Sequence, residues 1–188
     1  MATVEETQVL VETVAWLEKE GWRTMSARAP TRRGARAAEE ALTARGVRVP
    51  EHDISSGEGP DVIAQRAGME WRIECKGLGE RSNTRWSDFY RGLGEAVCHF
   101  DKKDGLRLGF AFPDSRDLRR FASKMSPGMR GAIGLWVLLV DVAEQSVAVV
   151  SPQEVFCPFC DGATVYPVGE SGHIKAEHPD EWRFLAGA

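Results

Sequence analysis

The sequence predicts an α/β fold, a mixed central sheet flanked by helices and followed by a small C-terminal unit rich in metal-ligating side chains. Three observations predict it. Helical and strand periodicities follow one another in the order helix, strands, helix, strand, helix, strands. Leu135 to Val142 is an apolar run of strand length interrupted only by Asp141, which marks a strand buried on both faces. Residues 153–188 hold two cysteines and two histidines at short intervals, a spacing that ordinary surface segments rarely show.

Each element has its own local reason. Glu5 to Glu20 reads as a helix with Leu10, Val14 and Leu17 on one face, Val11 beside them and Gly21 as its stop. Trp22 to Ala27 reads as a short strand. Arg28 to Glu58 reads as a basic insertion that carries a second helix, Ala35 to Arg45, ended by Gly46, and then the loop Ser55-Ser56-Gly57-Glu58-Gly59-Pro60. Asp61 to Gln65 and Glu70 to Lys76 form a hairpin turned at Ala67-Gly68. Trp86 to Phe100 is an amphipathic helix with Trp86, Phe89, Leu93, Val97 and Phe100 at core spacing. Leu106 to Phe112 is a strand, and Asp114 to Lys124 a helix led by Pro113 and capped by Asp114. The buried strand Leu135 to Val142 turns at Ala143-Glu144-Gln145-Ser146 into Val147 to Val150, and Ser151-Pro152 marks the boundary between a domain at 1–152 and a tail at 153–188.

A chain of 188 residues, 43% of them hydrophobic, buries an adequate core without disulfides. Six tryptophans and a charged fraction of 28% argue against disorder. No apolar run reaches the roughly 20 residues that span a bilayer, and Met1-Ala2-Thr3-Val4-Glu5-Glu6 lacks the pattern of a signal peptide, so the expected location is the cytoplasm, with no membrane partner. The net charge of −4 does not advertise nucleic-acid binding, but its distribution is uneven. Arg23, Arg28, Arg32, Arg33, Arg36, Arg45 and Arg48 face only Glu39 and Glu40 between Gly21 and Pro50, and Arg116, Arg119, Arg120, Lys124 and Arg130 form a second basic cluster. Both clusters are candidates for phosphate contact or plain solvated faces.

The informative stretch is Gly59-Pro60-Asp61-Val62-Ile63-Ala64 followed by Ile73-Glu74-Cys75-Lys76-Gly77. Strand alternation puts Arg72, Glu74 and Lys76 on one face and Trp71, Ile73 and Cys75 on the other. Hairpin pairing brings Asp61 beside Glu74. Two close carboxylates repel unless a cation lies between them, and Mg²⁺ favours oxygen ligands and retains waters that can attack phosphorus. A neighbouring lysine can orient that water or offset charge on the phosphate, and the Cys75 carbonyl could add an oxygen ligand. A plainer arrangement also fits: Asp61 caps the turn after Pro60, while Glu74 and Lys76 pair on an exposed face.

Pro60-Asp61, twelve residues, then Glu74-Cys75-Lys76 resembles the motif of the PD-(D/E)XK, or restriction-endonuclease-like, nuclease superfamily, and the element order is similar to that core up to about Val150. The resemblance implies that Asp61 and Glu74 bind a catalytic Mg²⁺ or Mn²⁺, that Lys76 is the catalytic lysine and that DNA is the partner. Such families often add a carboxylate from the first helix. Glu6, one turn before Leu10, flanks the apolar face, whereas Glu12 points nearly opposite. Many relatives carry a glutamine in the helix after the lysine strand; here the segment is Arg91-Gly92-Leu93-Gly94-Glu95, so Glu95 either replaces it or faces solvent. Enzymes of this kind often pair to cut both strands, which would make a homodimer.

Cys157-Pro158-Phe159-Cys160, twelve residues, His173, four residues and His178 match zinc-finger spacing, and four thiolate or imidazole ligands suit a closed structural Zn²⁺. A segment this short needs such a staple to order itself. Val165 and Tyr166 supply part of the expected apolar filling, and Gly172 and Pro179 bracket the histidines, so a stapled knuckle fits better than a DNA-reading finger. A free thiol pair with uninvolved histidines is the alternative; a redox role lacks a thioredoxin-like βαβ setting. No phosphate loop and no G-x-S-x-G elbow occurs. The function expected is therefore metal-dependent endonuclease action on DNA. A catalytically silent binding module of the same fold and a nuclease acting on RNA are its rivals.

Overall fold

Val4 exchanges two backbone hydrogen bonds with Leu78, and from this anchor the chain enters α1 (Glu6–Lys19), in which the Glu5 N–H donates to Gln8 Oε1 at 2.8 Å. The computed structural model describes residues 4–47, 54–55, 59–79, 82–157, 159–160, 165–167 and 172–185. After Gly21, at φ +77°, follow β1 (Arg23–Arg28), α2 (Arg32–Ala44), β2 (Ile54–Ser55), β3 (Val62–Arg66) and β4 (Met69–Cys75). Then come α3 (Ser82–Cys98), β5 (Leu106–Pro113), α4 (Arg116–Ala122), α5 (Pro127–Ile133), β6 (Leu135–Asp141) and β7 (Ser146–Val150). Six strands and the two-residue β2 form one mixed sheet in the order β2-β1-β3-β4-β5-β6-β7. The β4–β5 and β5–β6 pairs are parallel because helices cross between them, while β3–β4 and β6–β7 are antiparallel hairpins.

The sheet carries helices on both faces. Alternation along the strands divides the core: Trp71, Ile73, Cys75, Ala111, Leu138 and Val140 pack with α1 and α2, whereas Leu108, Phe110, Phe112, Val137 and Leu139 pack with α3 and α4. The β3–β4 turn is Ala67-Gly68 with both φ values positive, +49° and +81°, the type I′ geometry that matches strand twist.

Four expectations need correction. First, α2 begins at Arg32, behind an N-cap in which Thr31 Oγ1 accepts from the Gly34 N–H at 3.0 Å, so Arg32 and Arg33 belong to a helical first turn and not to a loop. The basic insertion is also part of the core, since Ala35, Ala38 and Leu42 are buried against α1. Second, the buried face of α3 is Phe89, Gly92 and Ala96; Trp86 is 55% exposed, and Val97 and Phe100 are exposed too. Third, Ser115, not Asp114, caps α4, which stops at Ala122; Asp114 is ion-paired with Arg119. Fourth, the sequence patterns do not anticipate α5. It has Pro127 in its first turn and ends on Gly134 at φ +64°. Its Arg130 is 1% exposed and donates to the carbonyls of Ser151 (3.2 Å) and Glu154, so it joins chain segments and is not open to phosphate.

Beyond β7, β8 (Glu154–Phe156) pairs antiparallel with β9 (Val165–Pro167), and α6 (Gly172–Glu177) and α7 (Pro179–Leu185) follow. Phe156 and Val165 pack into the α3 side of the core. No helix among the described residues is long and apolar enough to cross a membrane. Arg48 and the 56–58 part of the expected loop lie outside the described residues.

Candidate functional site

The hairpin register is Val62↔Ile73 through Arg66↔Met69, which places Asp61, one residue further out, opposite Glu74. Asp61 is fastened at two points and its neighbour Pro60 at a third. Its Oδ2 accepts from the Cys75 N–H at 2.7 Å, its carbonyl accepts from the Arg28 N–H at 2.6 Å, and the Arg28 guanidinium donates to the Pro60 carbonyl at 3.2 Å. Gly59, at φ +112°, is required here twice over, since a Cβ would also collide with Arg28 Nη1.

Burial and mutual charge govern the acids. Desolvation pushes the Asp61 carboxyl up to about 7, against the lowering pull of the Cys75 N–H and Lys76, with Glu6 and Glu95 adding to the rise. Glu74 is 4% exposed, and desolvation followed by the charge of Asp61 raises its carboxyl to about 8. Lys76 is the counter-charge. Its Nζ lies 2.7 Å from Glu74 Oε1, 2.8 Å from Glu95 Oε2 and 3.6 Å from Glu6 Oε2. Burial acts to lower the lysine, but these carboxylates outweigh it and hold the ammonium above its ordinary range. Desolvation raises Glu6; it acts the same way on Glu95, where contacts with Lys76 and Glu74 prevail and lower it.

Glu6, Glu74, Lys76 and Glu95 thus share one ion-pair cluster, with Asp61 bonded to the strand beside it. Cys75 takes part only through its main chain, because its thiol is buried on the α1 side, where desolvation and then the charge of Asp61 raise its pKa. Glu12 is remote in function: it is buried and held bidentate by Arg45 at 2.6 and 2.7 Å. That pair engages the charge of Arg45, one of the cations expected to meet phosphate.

Sequence reasoning missed His99, whose Nε2 lies 3.3 Å from Glu74 Oε2. Arg72 donates to the His99 carbonyl at 3.1 Å, tying the end of α3 to β4. Burial, then the charge of Arg72, lowers the His99 pKa. A signal existed: Gly92, Glu95 and His99 are spaced three and four apart and therefore share one flank of α3. Gly92 is the point of closest approach, since a Cβ there would collide with Lys76 Cγ.

The second constellation is in the tail. Cys157 and Cys160 follow β8, and His173 and His178 lie in and just after α6. Their ligand atoms all fall within 4.8 Å of one another. Cys160 Sγ is 3.3 Å from His173 Nε2 and 3.0 Å from His178 Nε2. Among the described residues this is the one group of three or more cysteine, histidine or acidic ligands that converges so closely, and it could bind a metal ion such as zinc. The acidic residues of the first site instead gather around the Lys76 ammonium. No family model, curated protein or solved structure matches this chain.

Proposed function

We propose that the chain is a metal-dependent endonuclease of the restriction-endonuclease-like type, hydrolysing DNA phosphodiester bonds at Asp61, Glu74 and Lys76. One observation carries this reading. Two carboxylates on adjacent strands, Asp61 half-buried and Glu74 buried, lie side by side; desolvation chiefly pushes them up to about 7 and 8, and Glu6 and Glu95 bring to four the acids that share the site with the Lys76 ammonium. Hard oxygen donors with surplus charge suit a hard divalent cation. Asp61 and Glu74 would hold Mg²⁺ or Mn²⁺, which when bound supplies Lewis acidity and a more acidic water.

The protein's own groups have distinct roles. Asp61 is oriented by the Cys75 N–H, and Glu74 is braced by His99 and Lys76. Lys76, held cationic by Glu95 and Glu6, is positioned to orient the attacking water and to stabilise charge on the phosphate oxygens. The sheet position of these residues, at the end of a hairpin continued by a parallel strand, is consistent with what the sequence resemblance implies.

The rival is a nucleic-acid or protein-binding module in which the Lys76 ion pairs are purely structural; the short Glu74 and Glu95 contacts favour it. Plasmid cleavage with Mg²⁺ separates the two. Wild type should nick or linearise DNA, and Asp61→Ala and Lys76→Ala should each lose at least a hundredfold in rate. If wild type and both variants leave plasmid, branched DNA and single-stranded DNA equally intact, the enzyme reading fails; cleavage of RNA alone would replace its substrate.

For the tail we propose structural zinc. Tetrahedral bonds of about 2.0–2.3 Å give ligand–ligand edges of about 3.3–3.8 Å, near the Cys160–histidine distances. Elemental analysis should find one zinc per chain, lost in Cys160→Ser. A wild-type content below a third of an equivalent would count against it.

A further inference from the structure

Beside Lys76 lies a cleft of about 640 Å³, bounded by Glu6 and Thr7 of α1, Arg33 in the first turn of α2, Lys76 and the loop after β4, and Asp88 and Arg91 of α3. Its size is in the range that takes a ligand of drug or nucleotide dimensions. The floor is fixed by the two Val4–Leu78 backbone bonds, and Gly77 fits there only because it lacks a Cβ, which would lie 2.6 Å from the Val4 carbonyl. The wall between α1 and α2 is equally close, with Thr7 Oγ1 2.7 Å from where a Gly34 Cβ would be. The cleft is therefore built into the fold.

Its charges are unevenly engaged. Glu6 is committed to Lys76, and Glu5, which also lines the cleft, accepts from the α1 backbone in a capping box. Asp88 meets Arg91 at 3.2 Å, but in an exposed i,i+3 pair, a kind that contributes little and exchanges readily for another anion. Arg33 is exposed and has no ion-pair partner among the described residues. Two guanidiniums on different helices thus border a cleft that opens at the lysine of the candidate site.

We propose that this cleft is the track for one strand of the nucleic-acid backbone, with Arg33 and Arg91 gripping phosphates that flank the reacting one. The inference rests on the nuclease reading for what happens at Lys76, but the binding it asserts is independent of cleavage. It also divides the basic segment of the sequence by role, since Arg28 and Arg45 serve the fold, whereas Arg33 serves the substrate.

The test uses the full chain carrying Asp61→Asn, so that no substrate is consumed, and a fluorescein-labelled DNA oligonucleotide, single-stranded or annealed, followed by anisotropy. Arg33→Gln and Arg91→Gln should each weaken binding about three- to tenfold and lower the slope of log affinity against log salt by about one. Arg120→Gln, an exposed arginine of α4 that does not line the cleft, should stay within twofold. Circular dichroism confirms that each variant is folded. Unchanged binding in both cleft variants, an equal loss in the Arg120 control, or no binding by the parent overturns the proposal. If the cleft variants lose affinity while wild type cuts no nucleic acid, the track stands and the nuclease reading falls; if wild type cuts and the variants bind normally, the reverse holds.

Discussion

Replacing Asp61 by asparagine should stabilise the protein in Mg²⁺-free buffer at pH 8, although it removes a residue held by a hydrogen bond at its side chain. The carboxyl moves from an ordinary 3.8 to about 7 on folding, mainly through desolvation. A folded-state pKa raised in this way means that native protein binds the proton more tightly than unfolded protein. The associated stability is complete below the unfolded pKa near 4 and is lost as pH rises to about 7. The difference corresponds to a ceiling on the order of 4 kcal/mol. Asparagine keeps an oxygen for the Cys75 N–H but carries no charge, so a gain of about 2 kcal/mol at pH 8 is expected, shrinking to zero only below about pH 4. Urea melts followed by tryptophan emission report it, since Trp71 is buried within the hairpin. Adding Mg²⁺ at about a hundred times its dissociation constant should stabilise wild type by about 2.7 kcal/mol at pH 8 and leave Asp61→Asn nearly unmoved. The reasoning is refuted if the asparagine variant is less stable than wild type at pH 8 without Mg²⁺, because Asp61 would then be a favourable structural anion with no need of a metal.

Three further outcomes follow from particular contacts. Gly92→Ala improves helix propensity by about 1 kcal/mol but drives its Cβ into the Lys76 stem, so DNA cleavage should drop at least tenfold while thermal stability changes little; equal activity would mean that Lys76 tolerates displacement. Ala67→Gly relieves a non-glycine φ of +49° and should add about 1 kcal/mol, seen as a rise in Tm of roughly 2–4 °C in calorimetry. Arg130→Leu removes the Arg130 donor from the Glu154 carbonyl and leaves the Ser151 carbonyl with the Glu154 N–H alone, which should cost about 2 kcal/mol in urea titration, with no direct effect on oligonucleotide affinity.

The strands were legible because their side chains alternate against two different apolar layers. The apolar run that starts at Leu135 appears as β6 with Leu135, Val137 and Leu139 facing α3 while Leu138 and Val140 face α1. The faces of α3 were not legible in the same way. Of the stripe Trp86, Phe89, Leu93, Val97 and Phe100, Phe89 is core and Leu93 packs against it, but Trp86, Val97 and Phe100 are exposed, and the rest of the buried face is Gly92 and Ala96, which carry almost no hydrophobic signal. Periodicity finds apolar residues; it does not say which of two overlapping stripes the sheet covers. The fates of the arginines were hidden for a related reason. Whether Arg45 meets a buried Glu12, or Arg130 two carbonyls, depends on contacts 33 and at least 21 residues away in sequence.

The convergence of Asp61 and Glu74, by contrast, depends on little beyond the turn. In an antiparallel pair joined by a two-residue loop, partners lie symmetrically about that loop, and residues directly opposite point to the same face. Asp61 and Glu74 are equidistant from the centre of Ala67-Gly68, as are the observed partners Val62 and Ile73 or Gln65 and Glu70. The number of residues between the two acids, together with where the left-handed turn falls, therefore decides that both carboxylates share a face. Burial under α3 then sets their pKa values, and the helix supplies Glu95 and His99 around them. An acidic pair specified so locally needs only a correct turn to form, while its counter-charges and the cleft beside it have to be assembled from α1, α2 and α3 by the completed fold.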